Sequence, residues 1–468
     1  MIVILGAGLA GLSAAFHIGH DRCRVLEASD RPYGLTRSDS LAGFIWEQGP
    51  HVSFTKHEYV RSLFAASVDN DYLEFNAKVR NYHMGTWIDH PVQVHLHQAP
   101  EPLRSKCLTD FTATRDCSCQ PGNYGEWLSQ SFGSTFADAF PRKYTKKYWT
   151  VEPEQLTTDW IGERVYRPNT EEVIRGAQGP LGYPTYYITQ VRYPGSGGFQ
   201  SFAHSLFHGA GIHLNARVCG VDLEERIVRT DNGISIPFER LVNTLPLPEF
   251  VRLCRQAPPH VIDAAHALCC TEVLLVNVTA PVRSEIRGHW FYIYDTDKLS
   301  TRISRTAAMS PQNAPSQWTG VQVEVYASRY KKWQFSREQI ADRVVAELEE
   351  MGFVPQGKGS WTNNGGCLRH IPYANVVFDH KRKESLKVIF SWLAEWGLEW
   401  EEEDLRPVTD WTRRFKEVLP DKGRIYLAGR FGQWKYFWTD DCVLQGLWLA
   451  ARMGFTEKIP GSISHSSE

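Results

Sequence analysis

The hydrophobic pattern at the start of the chain changes its period twice. Met1–Leu5 is an unbroken apolar run with β-branched side chains, which predicts a buried parallel strand. Small residues follow, and Leu12–Ile18 has the apolar spacing of a helix. A second apolar run, Cys23–Leu26, predicts another strand, which ends at the acidic residue Glu27. The chain therefore begins with a strand, a turn, a helix and a strand.

The turn before the first helix carries three glycines in the spacing of a dinucleotide fingerprint. Gly6 permits the tight turn, Gly8 lets the backbone approach a pyrophosphate, and Gly11 lets helix and strand pack closely. Glu27 stands where a carboxylate accepts hydrogen bonds from an adenosine ribose. Because the glycines occur in this full context, the sequence predicts a bound dinucleotide at the helix N-terminus.

Later apolar patterns predict the elements of a larger α/β protein. A short buried strand is predicted within Arg240–Pro246, and several strands within Thr271–Tyr326. The segment Arg337–Gly352 has the apolar face of an amphipathic helix. Near the end of the chain, Arg424–Arg430 predicts a strand and Asp440–Met453 predicts a closing helix.

Two regions have less regular patterns. Residues 80–160 are predicted to be mostly helical and aromatic, and the polar stretch Thr109–Gly122 within them predicts an exposed loop. The segment Ile212–Thr230 alternates like two paired strands.

Strand patterns that fit the first sheet recur in the middle and at the end of the chain. We therefore predict an α/β fold with a Rossmann-type domain assembled from residues 1–80, 190–250 and 415–460. Residues 81–189 are predicted to form a helical cap, and residues 251–414 a substrate-binding domain with a mixed sheet. A nicotinamide dehydrogenase usually completes its dinucleotide domain in one stretch, so the discontinuity argues against a nicotinamide cofactor; the family resemblance described below implies FAD.

Composition excludes several classes of partner. The net charge of the 468 residues is -2, which gives no reason to expect a nucleic acid or membrane surface. No apolar stretch approaches the roughly 18 residues of a membrane-spanning helix. The cofactor strand starts at Met1 without a leader, so we expect a cytoplasmic protein. The sequence does not decide between a monomer and a homodimer. The ten cysteines have no zinc-ligand spacing, so no metal is predicted.

Three motifs around the cofactor resemble those of the FAD-dependent amine oxidase superfamily, which includes protoporphyrinogen oxidases and UDP-galactopyranose mutases. Tyr33–Ser38 resembles the family's Gly-Gly-x-x-x-Ser/Thr loop, with Tyr33 in place of the first glycine. The resemblance implies that Arg37 of this loop meets the pyrophosphate. The strand around Val218 resembles the one whose backbone holds the adenine, and Gly429-Arg430 resembles the dipeptide beside the flavin.

Within this superfamily, five further segments resemble the mutases and their oxidase-like relatives in polysaccharide gene sets. They are Gly49-Pro50-His51, Trp87–Leu96, Tyr144–Trp149, Thr301–Ile303 and Gly432–Tyr436. The resemblance implies that the first and last segments lie beside the flavin.

The resemblance also implies roles for individual residues. His51, Arg302 and Tyr436 are the catalytic candidates, and Arg302 would bind a diphosphate through its planar fork. Arg305 and Tyr326 are added as substrate-binding candidates, together with Arg302 and Tyr436. Each role has a structural alternative: a surface salt bridge for Arg302, a core position for Tyr436, and a turn for His51.

The resemblance implies two reaction types. In the preferred one, an FAD-dependent oxidoreductase removes hydride from a nucleotide-linked or phosphorylated sugar and transfers it to flavin N5. In the alternative, reduced flavin supports pyranose/furanose isomerisation of a nucleotide sugar, as in the mutases. The oxidoreductase is preferred because Trp438 replaces the first mutase acid after Tyr436. A remote alternative is a non-enzymatic binding protein similar to guanine-nucleotide dissociation inhibitors.

Overall fold

The structure is a computed structural model that describes residues 1–114, 120–183, 188–207, 211–283, 286–406 and 410–455. The strands in these residues are β1 (Ile2–Leu5), β2 (Cys23–Leu26), β3 (Ser38–Leu41), β4 (Phe44–Glu47), β5 (Tyr72–Asn76), β6 (Val79–His83), β7 (Thr86–Asp89), β8 (Gln190–Pro194), β9 (Ile212–His213), β10 (Val218–Asp222), β11 (Ile227–Thr230), β12 (Ser235–Pro237), β13 (Arg240–Asn243), β14 (Cys270–Pro281), β15 (Trp290–Ile293), β16 (Arg302–Arg305), β17 (Trp318–Ala327), β18 (Cys367–Val376) and β19 (Ile425–Leu427). The helices are α1 (Leu9–Ile18), α2 (Glu58–Ala66), α3 (Glu101–Ala113), α4 (Tyr124–Phe132), α5 (Ser134–Ala139), α6 (Pro141–Tyr148), α7 (Thr170–Gln178), α8 (Leu247–Leu253), α9 (Pro259–Ala267), α10 (Thr306–Met309), α11 (Arg337–Glu350), α12 (Arg382–Glu395), α13 (Trp411–Glu417) and α14 (Thr439–Arg452).

A five-stranded parallel sheet carries the fingerprint. Its strand order is β19-β13-β1-β2-β9, so the start, middle and end of the chain each contribute to it. The helices α1 and α14 pack against each other beside this sheet. Val3, Ile4 and Leu5 have no solvent exposure, as expected for a strand covered on both faces. The sheet confirms the α/β fold class.

A second, seven-stranded sheet has the order β18-β14-β17-β16-β15-β6-β7. It is mixed, because β15 and β6 are parallel while the other neighbouring pairs are antiparallel. The valines of β17 pack with α11 on one face of this sheet. Side chains alternate along a strand, so Gln322, Glu324 and Tyr326 lie on the opposite face. That face borders the cavity described below.

The structure differs from two sequence predictions in residues 80–160. The helical prediction was wrong for β6 and β7, which form a hairpin and extend the mixed sheet. Met84 and Gly85 both have positive φ, which gives the tight turn between these strands. The loop prediction for Thr109–Gly122 was wrong at its start, because α3 continues to Ala113. Residues 115–119 of that segment lie outside the described residues.

The segment Ile212–Thr230 contains three strands in place of the predicted two. β9 is parallel to β2 in the first sheet, whereas β10 and β11 pair antiparallel with each other. Neighbouring β12 completes a small three-stranded antiparallel sheet. The predicted pairing is therefore present, but the segment also contributes an edge strand to the cofactor sheet.

Candidate active site

A cavity of about 690 Å³ lies where the carboxyl ends of the parallel strands meet the mixed sheet and the helices of residues 81–189. Such a volume is typical of small-molecule sites, and so is the place at the carboxyl ends of parallel strands. The parallel sheet contributes Gly6, Glu27, Thr244 and Gly429, the mixed sheet contributes Val273, Arg302, Glu324 and Tyr326, and the helical region contributes Tyr144, Tyr148, Trp149 and Trp160.

Two of the three fingerprint glycines, Gly8 and Gly11, have different steric surroundings. A Cβ added to Gly11 would lie 2.0 Å from the carbonyl oxygen of Gly6, so only glycine allows α1 to pack this closely. A Cβ on Gly8 would meet only the Cα of Gly34, at 3.9 Å. Gly8 therefore presents bare backbone to the cavity at the start of α1. This is the surface that a pyrophosphate requires.

Glu27 lies beside this turn and lines the cavity. Its Oε2 accepts a hydrogen bond of 2.8 Å from the amide of Ala7. Its Oε1 accepts bonds from the amide and hydroxyl of Ser29, at 2.9 and 2.6 Å. These bonds fix the carboxylate at the cavity, where its remaining acceptor capacity suits a ribose diol.

The two arginines that are predicted to contact the cofactor, Arg37 and Arg430, each have a buried N–H group at Nε. Nε of Arg37 and Nε of Arg430 are both buried without a hydrogen-bond acceptor among the described residues. Arg430 lines the cavity immediately after Gly429, whereas Arg37 lies behind the lining. A buried guanidinium N–H without an acceptor is costly unless an anion or other acceptor binds there. The position of Arg430 therefore fits an anionic cofactor, whereas Nε of Arg37 lies 3.7 Å from the carboxylate oxygen Oδ1 of Asp39.

Val218 lies outside the cavity lining, in β10. The chain just before it is close to the cofactor turn, since the amide of Ala216 donates to the carbonyl of Glu27 at 2.8 Å. The adenine contact of Val218 stays a prediction from the family resemblance.

The Gly49–His51 loop lines the cavity, and the buried carboxylate of Glu47 supports it. Oε2 of Glu47 accepts a bond of 2.9 Å from the amide of His51, and Oε1 accepts from Tyr193 and Phe199. Nδ1 of His51 lies 2.7 Å from the carbonyl oxygen of Gly49. A carbonyl only accepts, so Nδ1 carries the proton and Nε2 is the acceptor of the neutral ring.

Burial determines the protonation states of His51 and Glu47. It lowers the pKa of His51 to about 4, with Arg302 and Arg430 acting in the same direction. Burial also raises the pKa of Glu47 to about 7, against the opposing effect of its three hydrogen bonds. His51 is therefore neutral at neutral pH and can accept a hydrogen bond from a substrate.

Arg302 lines the cavity, but its guanidinium group already donates hydrogen bonds to another side chain. Nε and Nη2 of Arg302 donate to the two carboxylate oxygens of Glu324, at 2.8 and 2.5 Å. Tyr326 donates to Oε2 of Glu324 at 2.8 Å. Burial disfavours the charge of Arg302, yet Glu324 holds its pKa well above the ordinary value. The arginine is thus part of an internal ion pair, and a phosphate would find one nitrogen, Nη1, outside this pair.

Arg305 lies away from the cavity. It is three residues after Arg302 on the same strand, so its side chain points to the other face of the mixed sheet. There its Nη1 donates to the carbonyl oxygens of Ile286 and Gly288. The structure therefore does not bring Arg305 to the substrate, which corrects the prediction that it shares the role of Arg302.

Tyr436 lies in the cavity between two arginines. The guanidinium carbons of Arg164 and Arg430 lie 4.8 and 4.7 Å from the centre of its ring. Its hydroxyl is 3.5 Å from that of Tyr148, and Tyr148 donates to Oδ1 of Asn375 at 3.0 Å. Tyr436 is thus a wall of the site with a polar tip, and not an isolated core residue.

Sequence reasoning missed several residues of the site. Glu324 could have been found from the alternation in β17, which places its polar residues on one face. Arg164 had no signal, because it lies in a short irregular segment and reaches the cavity only through the tertiary fold. The aromatic residues Tyr124, Trp160, Tyr292 and Tyr294 also line the cavity. The high aromatic content indicated such a pocket without showing which residues form it.

Comparisons with known proteins agree with this geometry. Residues 9–453 match the family of flavin containing amine oxidoreductases, and the chain belongs to that family. The family assignment supports an FAD-dependent enzyme over the binding-protein alternative. FAD is the cofactor, and the bare turn at Gly8, the carboxylate of Glu27 and the buried Nε of Arg430 fit it.

Solved structures with the same fold belong to different enzymes. A reduced UDP-galactopyranose mutase is 21% identical with a TM-score of 0.83, and the match covers 99% of this chain and 97% of the mutase. A protein assigned as a protoporphyrinogen oxidase from Exiguobacterium sp. 255-15 is 16% identical with a TM-score of 0.68, covering 96% and 97%. A double mutant of putrescine oxidase is 15% identical with a TM-score of 0.57, covering 97% and 98%. At these identities the likeness concerns the fold.

Two kinds of feature are missing from the described residues. None of their helices is both long and apolar enough to span a membrane. Within the same residues, no group of three or more histidine, cysteine, aspartate or glutamate side chains is arranged to hold a metal ion.

Proposed function

We propose that this protein is an FAD-dependent oxidoreductase that acts on a nucleotide-linked or otherwise phosphorylated sugar. FAD supplies a two-electron acceptor for such a reaction. The residues of the chain bind and orient the substrate and hold the groups that exchange protons with it. Residues 1–80, 190–250 and 415–460 would bind the cofactor, residues 81–189 would form a cap, and residues 251–414 would complete the substrate site.

The observation that carries this proposal is the combination of aromatic walls and arginines in one cavity. Tyr148 and Trp160 line the cavity with aromatic rings, the kind of group on which sugars and nucleobases stack. Arg164 brings a guanidinium group, which is suited to phosphate oxygens, to the same space, and Arg302 adds a second guanidinium that is paired with Glu324. A ligand with a sugar, a base and phosphates matches both features.

Within this site, the ion pair with Glu324 changes the role proposed for Arg302. A bidentate diphosphate clamp would have to displace Glu324, whose carboxylate also repels phosphate. We therefore assign Arg302 to orienting the sugar, together with Glu324 and Tyr326. Arg164 brings a second guanidinium to the cavity, where it lies over the rings of Tyr436 and Trp438.

His51 would act on a hydroxyl group of the substrate. The hydrogen bond between Nδ1 and the carbonyl of Gly49 leaves Nε2 as an acceptor. Removing hydride from a carbon that bears a hydroxyl also releases the hydroxyl proton. A neutral imidazole can accept the hydrogen bond from that hydroxyl and receive its proton.

The mutase reaction is the second candidate. Its support is the fold likeness to the reduced UDP-galactopyranose mutase over 99% of this chain. Against it stands Trp438, which lines the cavity where the mutase motif has an acid. The two candidates share the substrate class and differ in whether the substrate is oxidised.

Anaerobic absorbance spectroscopy separates the candidates. The purified FAD-loaded protein is mixed with a panel of nucleotide sugars, and the corresponding free sugars serve as controls. Bleaching of the oxidised flavin band by a nucleotide sugar, and not by its free sugar, is the expected result. Product that forms only after dithionite reduction, without bleaching, would establish the mutase reaction instead. Neither bleaching nor product with any nucleotide sugar would overturn the proposed substrate class.

A further inference from the structure

A buried arginine outside the cavity lining contacts the segment Gly432–Tyr436, which brings Tyr436 to the cavity. This arginine, Arg382, is the first residue of α12. Its Nε and Nη2 both donate to the carbonyl oxygen of Trp434, at 2.9 and 2.5 Å. Its Nη1 donates to the carbonyl oxygen of Leu405 at 3.0 Å. One guanidinium group therefore joins α12, Leu405 and the segment that carries Tyr436.

The backbone of this segment has a conformation that needs support from its surroundings. Trp434 has a φ of 55°, in the left-handed region that residues other than glycine rarely adopt. A residue keeps such a conformation only where neighbouring groups fix it. Trp434 is buried, and its carbonyl oxygen accepts two hydrogen bonds from one guanidinium group. Arg382 therefore fixes the peptide group between Trp434 and Lys435, directly before Tyr436.

The same guanidinium group also lies against the aromatic residues behind the cavity wall. Its carbon is 4.8 Å from the centre of the Phe378 ring. The centre of that ring is 6.0 Å from the ring centre of Tyr436 and 6.1 Å from that of Trp160. Phe378 is buried outside the cavity lining, whereas Trp160 and Tyr436 line the cavity. Arg382 thus reaches Tyr436 by two routes, the backbone before it and the ring beside it.

Arg382 keeps its charge in this buried place. Burial lowers its pKa to about 10, although the carboxylates of Asp159 and Asp379 favour the charged form. The guanidinium group is therefore protonated at neutral pH, and its bonds to the carbonyl oxygens are charge-assisted. A lysine would keep the charge, but its single nitrogen cannot reproduce the planar fork. The arrangement depends on the shape of the guanidinium group as well as on its charge.

We propose that Arg382 is a positioning residue that holds Tyr436 in place for the substrate. It acts through the carbonyl group of Trp434 and the ring of Phe378. Without Arg382, that carbonyl group loses both guanidinium donors, and the left-handed turn loses its support. The hydroxyl of Tyr436 is then no longer held 3.5 Å from that of Tyr148. This role rests on the proposed function, in which the substrate occupies the cavity that Tyr436 lines.

Isothermal titration calorimetry of the FAD-loaded protein with uridine diphosphate measures the effect on the site. Arg382→Met is expected to lower the affinity about tenfold, because Tyr436 moves. Arg382→Lys keeps the charge without the fork and is expected to lose about threefold. Lys383→Met is the matched control, since Lys383 is the next residue of α12, is exposed and pairs with Glu402. This control should leave the affinity unchanged.

A double variant separates positioning from a general loss of stability. If Arg382 acts through Tyr436, removing the tyrosine hydroxyl should make Arg382 matter less. In the Tyr436→Phe background, Arg382→Met is therefore expected to lower the affinity by less than about threefold. An equal, tenfold loss in both backgrounds would show that Arg382 affects the site by another route and would overturn the proposal.

Hydrogen exchange measured by mass spectrometry tests the segment without any substrate. The amides of Gln433 and Lys435 donate to carbonyl oxygens of Gly429 and Arg430, at 3.1 and 2.8 Å, so their exchange reports opening of the segment. Peptides covering residues 430–438 are expected to exchange about tenfold faster in Arg382→Met than in the wild type. Lys383→Met should not change this exchange.

Unchanged exchange in Arg382→Met would overturn the proposal, because the segment would then be held without the arginine. If Arg382→Met does not fold, Arg382→Lys takes its place in both measurements, with the smaller loss of affinity. A wild type that does not bind uridine diphosphate would overturn the proposed substrate class instead. In that case the exchange measurement still decides whether Arg382 holds the segment that carries Tyr436.

Discussion

At the scale of single residues, the site buries a carboxylic acid and an imidazole next to each other. Burial raises the pKa of Glu47 to about 7 and lowers that of His51 to about 4. Folding therefore makes Glu47 bind a proton more tightly than in the unfolded chain, and makes His51 bind one less tightly. The two effects on stability have opposite signs as the pH changes.

Between pH 7 and pH 5 these contributions offset each other in the wild type. As the pH falls, Glu47 increases the free energy of unfolding, because its carboxylate takes up a proton in the folded state first. His51 decreases the free energy of unfolding, because its imidazole takes up a proton in the unfolded state first. Each contribution amounts to about 2 kcal/mol over this interval. We expect Glu47→Gln to lose about 2 kcal/mol more than the wild type on acidification, and His51→Gln to lose about 2 kcal/mol less.

Urea unfolding of the three flavin-free proteins at pH 7 and pH 5 measures these differences. The comparison between pH values within each protein removes the cost of the substitution itself. If the free energy of unfolding changed by the same amount between pH 7 and pH 5 in all three proteins, Glu47 and His51 would have ordinary pKa values. In that case His51 would be charged at mildly acidic pH, and its assignment as a neutral acceptor would fail there.

The sequence located the fingerprint residues that line the cavity, but not how the predicted substrate-binding residues pair with their neighbours. Gly8 and Glu27 belong to a local pattern in which spacing fixes geometry, so their positions follow from the strand and the helix. Arg302 was identified without its partner, because Glu324 lies 22 residues later on a neighbouring strand. Cross-strand register decides such a pair, and a single sequence does not specify that register.

At the scale of elements, one lysine joins the helical region to the mixed sheet. Nζ of Lys147, in α6, donates to the carbonyl oxygens of Asp295 and Ser300, both at 2.7 Å. Burial lowers its pKa to about 7. The neighbouring Lys146 is half-exposed and pairs with Glu152 at the surface. The two lysines thus form a matched pair for testing how the helices of residues 81–189 are held.

We expect Lys147→Met to destabilise the protein by about 2 kcal/mol, because two buried carbonyl groups lose their donor. The loss should grow by about 2 kcal/mol between pH 7 and pH 9. In this range Lys147 of the wild type is protonated in the unfolded chain but largely neutral in the folded protein, so the wild type gains stability as the pH rises, and the methionine variant does not. Lys146→Met, which removes a surface ion pair, should change stability by less than about 1 kcal/mol. Urea unfolding at both pH values measures this; equal effects of the two substitutions would contradict the role of Lys147.

The same region shows where element prediction fails. The helical prediction for residues 80–160 held for α3 to α6 but missed the β6–β7 hairpin. Short strands such as these carry few periodic positions, and the turn at Met84 contains a residue that rarely adopts positive φ. Their strand conformation depends on pairing with β15, more than 200 residues later in the chain. Tertiary pairing of this kind overrides a local pattern.

At the scale of the whole molecule, helices from the two ends of the chain pack against each other beside the fingerprint turn. α14 packs on α1, and the hydroxyl of Ser13 in α1 donates to the carbonyl of Val443 in α14 at 2.6 Å. A Cβ on Gly446 would lie 2.3 Å from the Oγ of Ser13 and 2.5 Å from the amide nitrogen of Ala14. Helix α1 begins at the turn that is predicted to receive the pyrophosphate, so we expect this contact to connect α14 to flavin binding.

We therefore expect Gly446→Ala to lower the free energy of unfolding by about 2–3 kcal/mol and to reduce the flavin content of the purified protein. The helices must separate to admit one methyl group, and α1 carries the cofactor turn with it. Gly220→Ala is the matched control, since a Cβ there meets nothing within 4 Å. Flavin absorbance relative to protein, together with urea unfolding, measures both effects. If Gly446→Ala lost stability but kept full flavin occupancy, the cofactor turn would be held by the parallel sheet alone, independently of the packing between α1 and α14.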